Sequence, residues 1–263
     1  MITSNALAKL AATAKPRTSW QKHSIATNCL HGGFLRYNYL MYDAECAISQ
    51  DDASVSFSRV SPDGEQGFPG NLTLTITYTW NDANELMIEY NAVSDADTIL
   101  NITNHSYFNI GCGGQAAGDV LGAQVQIASA KYTPINEKRL PTGEICDVAG
   151  TAMDFREFHD IGSRIGEDDA NVQTVSGYDH NYILPGNPGE ICYAAAVRDP
   201  ESRRIVEVYT DMPGVQLYTA KELVEQGGKG GITYGNFGGL CFETQQYPNG
   251  INEPKFPSPI LKA

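Results

Sequence analysis

The sequence of 263 residues predicts an all-β protein, either a sandwich or a barrel. Two observations lead to this prediction. Apolar and polar residues alternate with a period of two over many short segments, and clusters rich in glycine, proline and aspartate separate those segments. Many short strands joined by turns are typical of both architectures. All-β chains of this length often fold as one domain, so we expect a single domain.

The clearest strands are two consecutive ones, in NLTLTITYTW (71–80) and ELMIEYNAV (85–93). In the first, Leu72, Leu74 and Ile76 share one face, while the intervening threonines share the other. Such alternation indicates a half-buried strand with β-branched residues on its exposed face. Because a short polar turn separates the two segments, we expect a hairpin over residues 71–93.

Further strand candidates follow the same pattern. They are SVSFSRV (54–60), AQVQIAS (123–129), ICYAAAV (191–197), RIVEVYT (204–210) and GVQLYT (214–219). Only the first fifteen residues have a helical pattern, through SNALAKLAATAK, and Pro16 ends it.

The charge of the chain excludes some classes of partner. The formal net charge is −13 and the sequence pI is about 4.7. A chain this acidic repels nucleic-acid phosphates and anionic membrane surfaces, so we expect neither as a partner.

The six cysteines indicate a reducing compartment. They form no CxxC pair and have no metal-like spacing, which favours reduced thiols in a cytoplasmic protein over a disulfide framework. No apolar run is long enough for a transmembrane helix, and the N-terminus lacks the apolar core of a secretory signal. Its acid-free composition leaves an organelle transit peptide as the alternative.

The five histidines include no HxH or HExxH pattern, so the sequence predicts no metal site. His105 lies in NITNHSYFNI (101–110), where two readings stay open. It is either a structural imidazole bonded to Asn101 or Asn104, or a proton donor and acceptor. His31, in CLHGGF, precedes two glycines that suit either a close ligand approach or a plain turn.

Two acidic residues also have two readings each. Asp179, in SGYDHNYIL (176–184), either caps a turn or accepts hydrogen bonds from sugar hydroxyls. Glu243 is either a solvated residue at the end of a strand or a general base facing a cleft. Together, the polar residues at strand ends suggest a cleft for a polyol or sugar; they are Asn104, His105, Asp179, Gln216 and Glu243.

Seven segments, in the same order along the chain, resemble the aldose 1-epimerase (galactose mutarotase) family. They are NCLHGG (28–33), FSRVSPDGEQGFPGNL (57–72), NITNHSYFNI (101–110), LPTGEI (140–145), GYDHNYIL (177–184), EVYTDMPGVQLYTA (207–220) and CFETQQYPNGINEPKFPS (241–258). One such segment alone is weak evidence for the family, whereas seven segments in the family's order are highly specific evidence.

The resemblance implies a large, twisted β-sandwich of the galactose mutarotase type with a sugar cleft on one face. It implies that His105 is the general acid and Glu243 the general base, and that Asn104, His31, Asp179 and Gln216 bind the substrate. The expected reaction interconverts the α and β anomers of free hexoses such as galactose and glucose, with no cofactor or metal. The expected partner is a monosaccharide, and the chain is expected to be a monomer or a weak homodimer.

The resemblance leaves residues 1–27 unmatched, as a helical or flexible segment, and assigns 28–263 to the mutarotase-like domain. The chain is expected to be shortened at its N-terminus, where family members have strands with an arginine that contacts the sugar, and to lack the closing strand. No arginine aligns; Arg17 and Arg36 are the nearest. A non-catalytic sugar-binding or regulatory β-sandwich is therefore the alternative function. A hexose-phosphate epimerase and a glycosidase using Asp179 and Glu243 are weaker ones.

Overall fold

The computed structural model describes residues 2–4, 24–25, 28–33, 35–111, 118–187, 189–224 and 227–263. The helix predicted from SNALAKLAATAK falls on residues 5–15, outside the described part of the chain, apart from Ser4. The contacts divide the chain into two compact units. We call Thr103–Pro257 the large unit, and Ile2–Ile102 with Ser258–Ala263 the small unit.

Strands dominate the described residues. In chain order they are β1 (Ile2–Ser4), β2 (Ser24–Ile25), β3 (Asn28–Cys29), β4 (Asp43–Ile48), β5 (Asp52–Ser61), β6 (Leu72–Asn81), β7 (Leu86–Ser94), β8 (Thr98–Ile99), β9 (Ile102–Asn104), β10 (Gln124–Ile127), β11 (Lys131–Thr133), β12 (Cys146–Asp147), β13 (His159–Asp160), β14 (Asp179–Ile183), β15 (Cys192–Arg198), β16 (Ile205–Thr210), β17 (Gly214–Tyr218), β18 (Cys241–Gln245) and β19 (Ile260–Leu261). Two helices, α1 (Ile161–Ile165) and α2 (Ala170–Val175), accompany them. Short 3₁₀ turns occur at Tyr37–Tyr39, Glu65–Gly67 and Lys229–Gly231. The prediction of an all-β protein is confirmed.

The small unit contains an antiparallel sheet in the order β4-β5-β6-β7. β6 and β7 form the hairpin predicted over 71–93, with Thr73 opposite Val93 and Trp80 opposite Leu86. Leu74 and Ile76 are fully buried on one face of β6, as the alternation predicts. β4 is the outer strand of this sheet, and all six of its residues are exposed.

The large unit contains two antiparallel sheets, in the orders β13-β10-β15-β16 and β12-β11-β14-β17-β18. Both contribute to a single buried cluster, which joins Val125 and Ile127 of the first sheet to Tyr182, Val215 and Leu217 of the second. Two sheets that share one apolar core form a sandwich, and neither sheet closes on itself in the described residues. The predicted strands at 123–129, 191–197, 204–210 and 214–219 all lie in this sandwich.

The two helices correct the expectation that only the N-terminus is helical. α1 has five residues and α2 has six, and a helix this short shows too few turns to give a recognisable period. α2 does have a start signal, because the Asp169 side chain accepts hydrogen bonds from the main-chain N–H groups of Asn171 and Val172. Among the described residues, neither helix has the length or apolar character needed to span a membrane.

His180 is a fully buried histidine on the core face of β14. Its Nδ1 accepts a hydrogen bond from the main-chain N–H of Asp179 at 3.2 Å, and its ring lies edge-on to Tyr132 at 6.3 Å between centroids. Its Nε2 has no hydrogen-bond partner among the described residues. Burial lowers the pKa of His180 from 6.5 to about 4, so the ring is neutral in the folded protein at neutral pH.

Gly214 leaves space that a neighbouring side chain uses. A Cβ atom at Gly214 would lie 2.4 Å from Oδ1 of Asn181 and 3.2 Å from Cδ1 of Tyr247. Asn181 is 2 % exposed and Tyr247 is 7 % exposed, so neither side chain can move into solvent without leaving a well-packed position. The absence of a side chain at Gly214 therefore lets β14 and β17 pack closely.

We expect His180 to make stability depend on pH between 6.5 and 4. The unfolded chain protonates this ring as the pH falls below 6.5, while the folded protein does not until about pH 4, so lowering the pH favours unfolding. Between pH 7.5 and 5.0, His180 should account for about 2 kcal/mol of lost unfolding free energy. Urea denaturation at both pH values should show this loss reduced in His180→Leu. An equal reduction in the control His159→Leu would contradict the assignment.

We expect Gly214→Ala to lower the free energy of unfolding by about 1–3 kcal/mol, because the new methyl group overlaps Asn181. Gly235→Ala is the matched control, since a Cβ there meets no atom within 4 Å. Thermal or urea denaturation of the two variants measures the difference. Equal stability of both variants would show that the sheet yields freely at Gly214.

Candidate active site

The five-stranded sheet of the large unit has an apolar face and a polar face. Side chains alternate along each strand, so Val215 and Leu217 enter the core while Gln216 between them points away from it. The register continues this polar face across four strands. The residues directly opposite one another in β11, β14, β17 and β18 are Thr133, Asn181, Gln216 and Glu243.

His105 and Glu243 meet at this polar face. The distance between His105 Nε2 and Glu243 Oε1 is 3.4 Å, and the two residues are 8 % and 3 % exposed. Glu243 lies in the middle of β18 and is buried, so the alternative of a solvated residue at a strand end is wrong. His105 directly follows β9. The segment after it is held next to β18 by two main-chain hydrogen bonds between Phe108 and Leu240, of 2.7 and 2.9 Å.

Other side chains surround the His105 ring. Its Nδ1 lies 3.3 Å from Sγ of Cys241, and the rings of Tyr107 and Tyr218 lie 5.1 and 5.8 Å from it. Burial lowers the pKa of His105 below 6.5, and a hydrogen bond to its own main chain opposes this effect. Burial also raises the pKa of Tyr218 to about 12. The imidazole therefore lies among uncharged aromatic rings, with one carboxylate at Nε2.

Asp179 and Gln216 form the second part of the site. Gln216 Nε2 donates a hydrogen bond to Asp179 Oδ1 at 2.7 Å, and Gln245 Nε2 lies 3.5 Å from Gln216 Oε1. Burial raises the pKa of Asp179, while the bond from Gln216 lowers it. Nearby, Arg139 and Glu222 form an ion pair at 2.6 Å and act on this pKa in opposite directions. Asp179 thus accepts a hydrogen bond from a side chain of the neighbouring strand β17 and does not cap a turn.

Asn104 ends β9 one residue before His105. Its Oδ1 accepts a hydrogen bond from the main-chain N–H of Ser106 at 3.0 Å, a local bond that closes a turn around His105. The observed contact of Asn104 therefore orients the chain that carries His105.

His31 belongs to the small unit. It has a positive φ of 57°, as do Gly32 (81°) and Gly33 (96°), so the HGG motif forms a tight left-handed turn. Its Nδ1 lies 3.3 Å from Nη1 of Arg36. The turn reading of the two glycines is confirmed, and a role of His31 in binding stays a prediction.

Sequence reasoning missed four buried residues of the polar face: Thr133, Asn181, Cys241 and Gln245. The sequence contains a signal for two of them. Cys241 lies two residues before Glu243 and Gln245 two residues after it, so both must share the face of β18 that carries Glu243. No group of three or more histidine, cysteine, aspartate or glutamate side chains in the described ranges is arranged to hold a metal ion.

Replacing Gln216 should make Asp179 harder to ionise. Gln216→Leu removes the hydrogen bond that favours the charged form of Asp179, so the pKa of this carboxyl group should rise further. A carbon-13 NMR titration of the Asp179 carboxyl group measures the change, with Gln173→Leu on the surface of α2 as the control. An unchanged pKa in Gln216→Leu would show that the 2.7 Å contact does not stabilise the carboxylate.

Comparison with known proteins points to one family. The family model described as Aldose 1-epimerase matches residues 15–263. The galactose mutarotase of Mus musculus is 40 % identical over 236 residues, and the aldose 1-epimerase of Escherichia coli is 35 % identical over 236 residues. These matches cover 89 % and 90 % of this chain, and 65 % and 66 % of the two relatives. The chain thus spans slightly less than two thirds of their length.

Solved structures agree with this assignment. The galactose 1-epimerase of Lactobacillus acidophilus superposes with a TM-score of 0.78 at 28 % identity, covering 99 % of this chain and 72 % of that protein. An aldose epimerase homologue from Caenorhabditis elegans gives a TM-score of 0.80 at 23 % identity over 99 % of this chain and 77 % of its own, and supports the fold alone. The chain belongs to the aldose 1-epimerase family.

Proposed function

We propose that this protein is an aldose 1-epimerase, which interconverts the α and β anomers of free hexoses such as galactose and glucose. The observation that carries the proposal is the 3.4 Å approach of His105 Nε2 to Glu243 Oε1 at a buried polar face. Ring opening requires a proton donor and a proton acceptor at two oxygens bonded to the same carbon. A histidine and a carboxylate that lie this close together can each reach one of these two oxygens.

The first step opens the ring. The imidazolium of His105 donates its proton to the ring oxygen of the sugar, and the Glu243 carboxylate accepts the proton of the anomeric hydroxyl group. The bond between C1 and the ring oxygen breaks, and its electrons stay with that oxygen. The products are the open-chain aldehyde, a neutral histidine and a protonated Glu243.

The second step closes the ring from the other face. After rotation about the C1–C2 bond, the former ring oxygen attacks C1, and its proton returns to His105. Glu243 gives its proton to the aldehyde oxygen, which becomes the new anomeric hydroxyl group. Both residues end in their initial protonation states, so the reaction needs no cofactor and no net oxidation or reduction.

The sugar is held by hydrogen bonds to the remaining site residues. Asp179 and Gln216 already bond to each other through one carboxylate oxygen and one amide N–H, and a sugar hydroxyl group beside this pair can donate to the second carboxylate oxygen and accept from the second N–H. We assign His31 and Asn104 as further substrate ligands on the resemblance of their motifs. The names of the relatives from mouse and L. acidophilus favour galactose as a substrate.

We also infer a cytoplasmic location and a monomer or weak homodimer. The location is supported by the free thiols of Cys29, Cys46, Cys146, Cys192 and Cys241. The net charge of −13 supports weak self-association, since like-charged copies repel each other.

Optical rotation of freshly dissolved α-D-galactose tests the proposal. We expect the protein to accelerate the approach to anomeric equilibrium, and His105→Gln and Glu243→Gln each to lower kcat by about 10²–10⁴-fold, as the loss of a general acid or base does. The glutamine variants keep a polar side chain in the buried site. His159→Gln and Glu207→Gln are matched controls from the other sheet and should retain full activity.

Two results would contradict the proposal. A folded wild-type protein that does not accelerate mutarotation but binds galactose would be a non-catalytic sugar-binding protein. Equal losses in the control variants would show that the site pair has no special part in the reaction.

A further inference from the structure

Cys241 occupies a position that the proposed reaction does not explain. It is the first residue of β18, is fully buried, and lies on the same face of the strand as Glu243, two residues further on. The His105 ring contacts both residues, with Nδ1 at 3.3 Å from the Cys241 sulfur and Nε2 at 3.4 Å from the Glu243 carboxylate. One strand therefore supplies a partner to each ring nitrogen of the same histidine.

The thiol of Cys241 stays protonated. Burial raises the pKa of this thiol well above its ordinary value of 9.0, and the charges of Glu243 and Asp179 raise it further. At neutral pH the group is S–H, a weak hydrogen-bond donor whose sulfur is also a weak acceptor. It is therefore available to His105 as a donor or an acceptor, whichever the ring requires.

We propose that Cys241 is a positioning residue, which sets the tautomer and orientation of His105 in both of its protonation states. When the ring is neutral, the thiol donates to Nδ1, so the ring proton lies on Nε2 and faces Glu243. When the ring is protonated, Nδ1–H donates to the sulfur, and the S–H bond turns away. A general acid that alternates between these states keeps the same neighbour throughout.

Three other residues that face the ring have different contacts with it: Tyr107, Tyr218 and Glu243. Tyr107 and Tyr218 contact His105 through their ring faces and edges, at 5.1 and 5.8 Å between centroids. Glu243 contacts Nε2 and is itself a reacting group in the proposed mechanism. The hydrogen bond of His105 to its own main chain raises the pKa of the ring, so it favours the protonated form over the neutral form. Cys241 can serve the neutral ring as well.

The inference rests on the proposed function of His105, and its test uses one readout that needs no turnover. Nitrogen-15 NMR of the imidazole should show the Nε2–H tautomer in the wild-type protein and in Cys241→Ser, whose hydroxyl group can also donate and accept. In Cys241→Ala the two tautomers should mix, and the pKa of His105 should fall, because the protonated ring loses an acceptor. In Cys241→Ser that pKa should return to the wild-type value or above it.

Steady-state kinetics of the same Cys241 variants provide a second test. Cys241→Ala should lower kcat about tenfold with little change in KM, and should move the alkaline limb of the pH profile of kcat/KM downward in pH, while Cys241→Ser restores both. Cys192→Ala, in the other sheet, controls for the loss of a thiol. An unchanged tautomer and pKa in Cys241→Ala would overturn the inference whether or not the protein epimerises sugars. A kcat loss that serine does not rescue would assign Cys241 a merely structural role and overturn it too.

Discussion

The pairing of Phe108 with Leu240 is the contact on which the candidate site depends. These two residues exchange main-chain hydrogen bonds in both directions, and each lies three residues from a reacting group, His105 on one side and Glu243 on the other. Because the pairing is antiparallel, the chain direction reverses between the two segments, so the histidine and the carboxylate come to the same point. A side-chain contact alone would not fix the positions of His105 and Glu243 relative to each other along the strand direction.

On the polar face of the five-stranded sheet, three side chains provide hydrogen-bond partners for one another. Asp179, Gln216 and Gln245 form a chain of contacts, in which Gln245 is fully buried and Asp179 and Gln216 are half-buried. A buried amide or carboxylate without a partner would cost about 1–3 kcal/mol, so such a face cannot be assembled one residue at a time. Asn181 departs from this rule, since neither polar atom of its side chain has a hydrogen-bond partner among the described residues.

Much of the fold could be predicted from local sequence, since a half-buried strand shows its period of two directly, as β6 does with Leu74 and Ile76. The short helices could not, because five or six residues contain less than two turns. The candidate site could also be predicted only in part. Motif resemblance pointed to His105 and Glu243, but no local pattern indicates that two residues so far apart in the chain meet. Cys241 lay within reach of sequence reasoning, because its parity with Glu243 in β18 already placed both on one face.

The exposed outer strand β4 has a consequence for how the protein behaves in concentrated solution. An edge strand can add to the edge of another molecule, and natural sheets often prevent this with charged residues on the strand. In β4 that protection comes from Asp43 and Glu45, which repel the same strand of a neighbouring copy. Salt shortens the range of this repulsion, to about 3 Å at 1 M ionic strength. A precipitant salt therefore has two opposing effects on this protein. It strengthens apolar burial in the core, and it also screens the repulsion that keeps the β4 strands of two copies from pairing edge to edge.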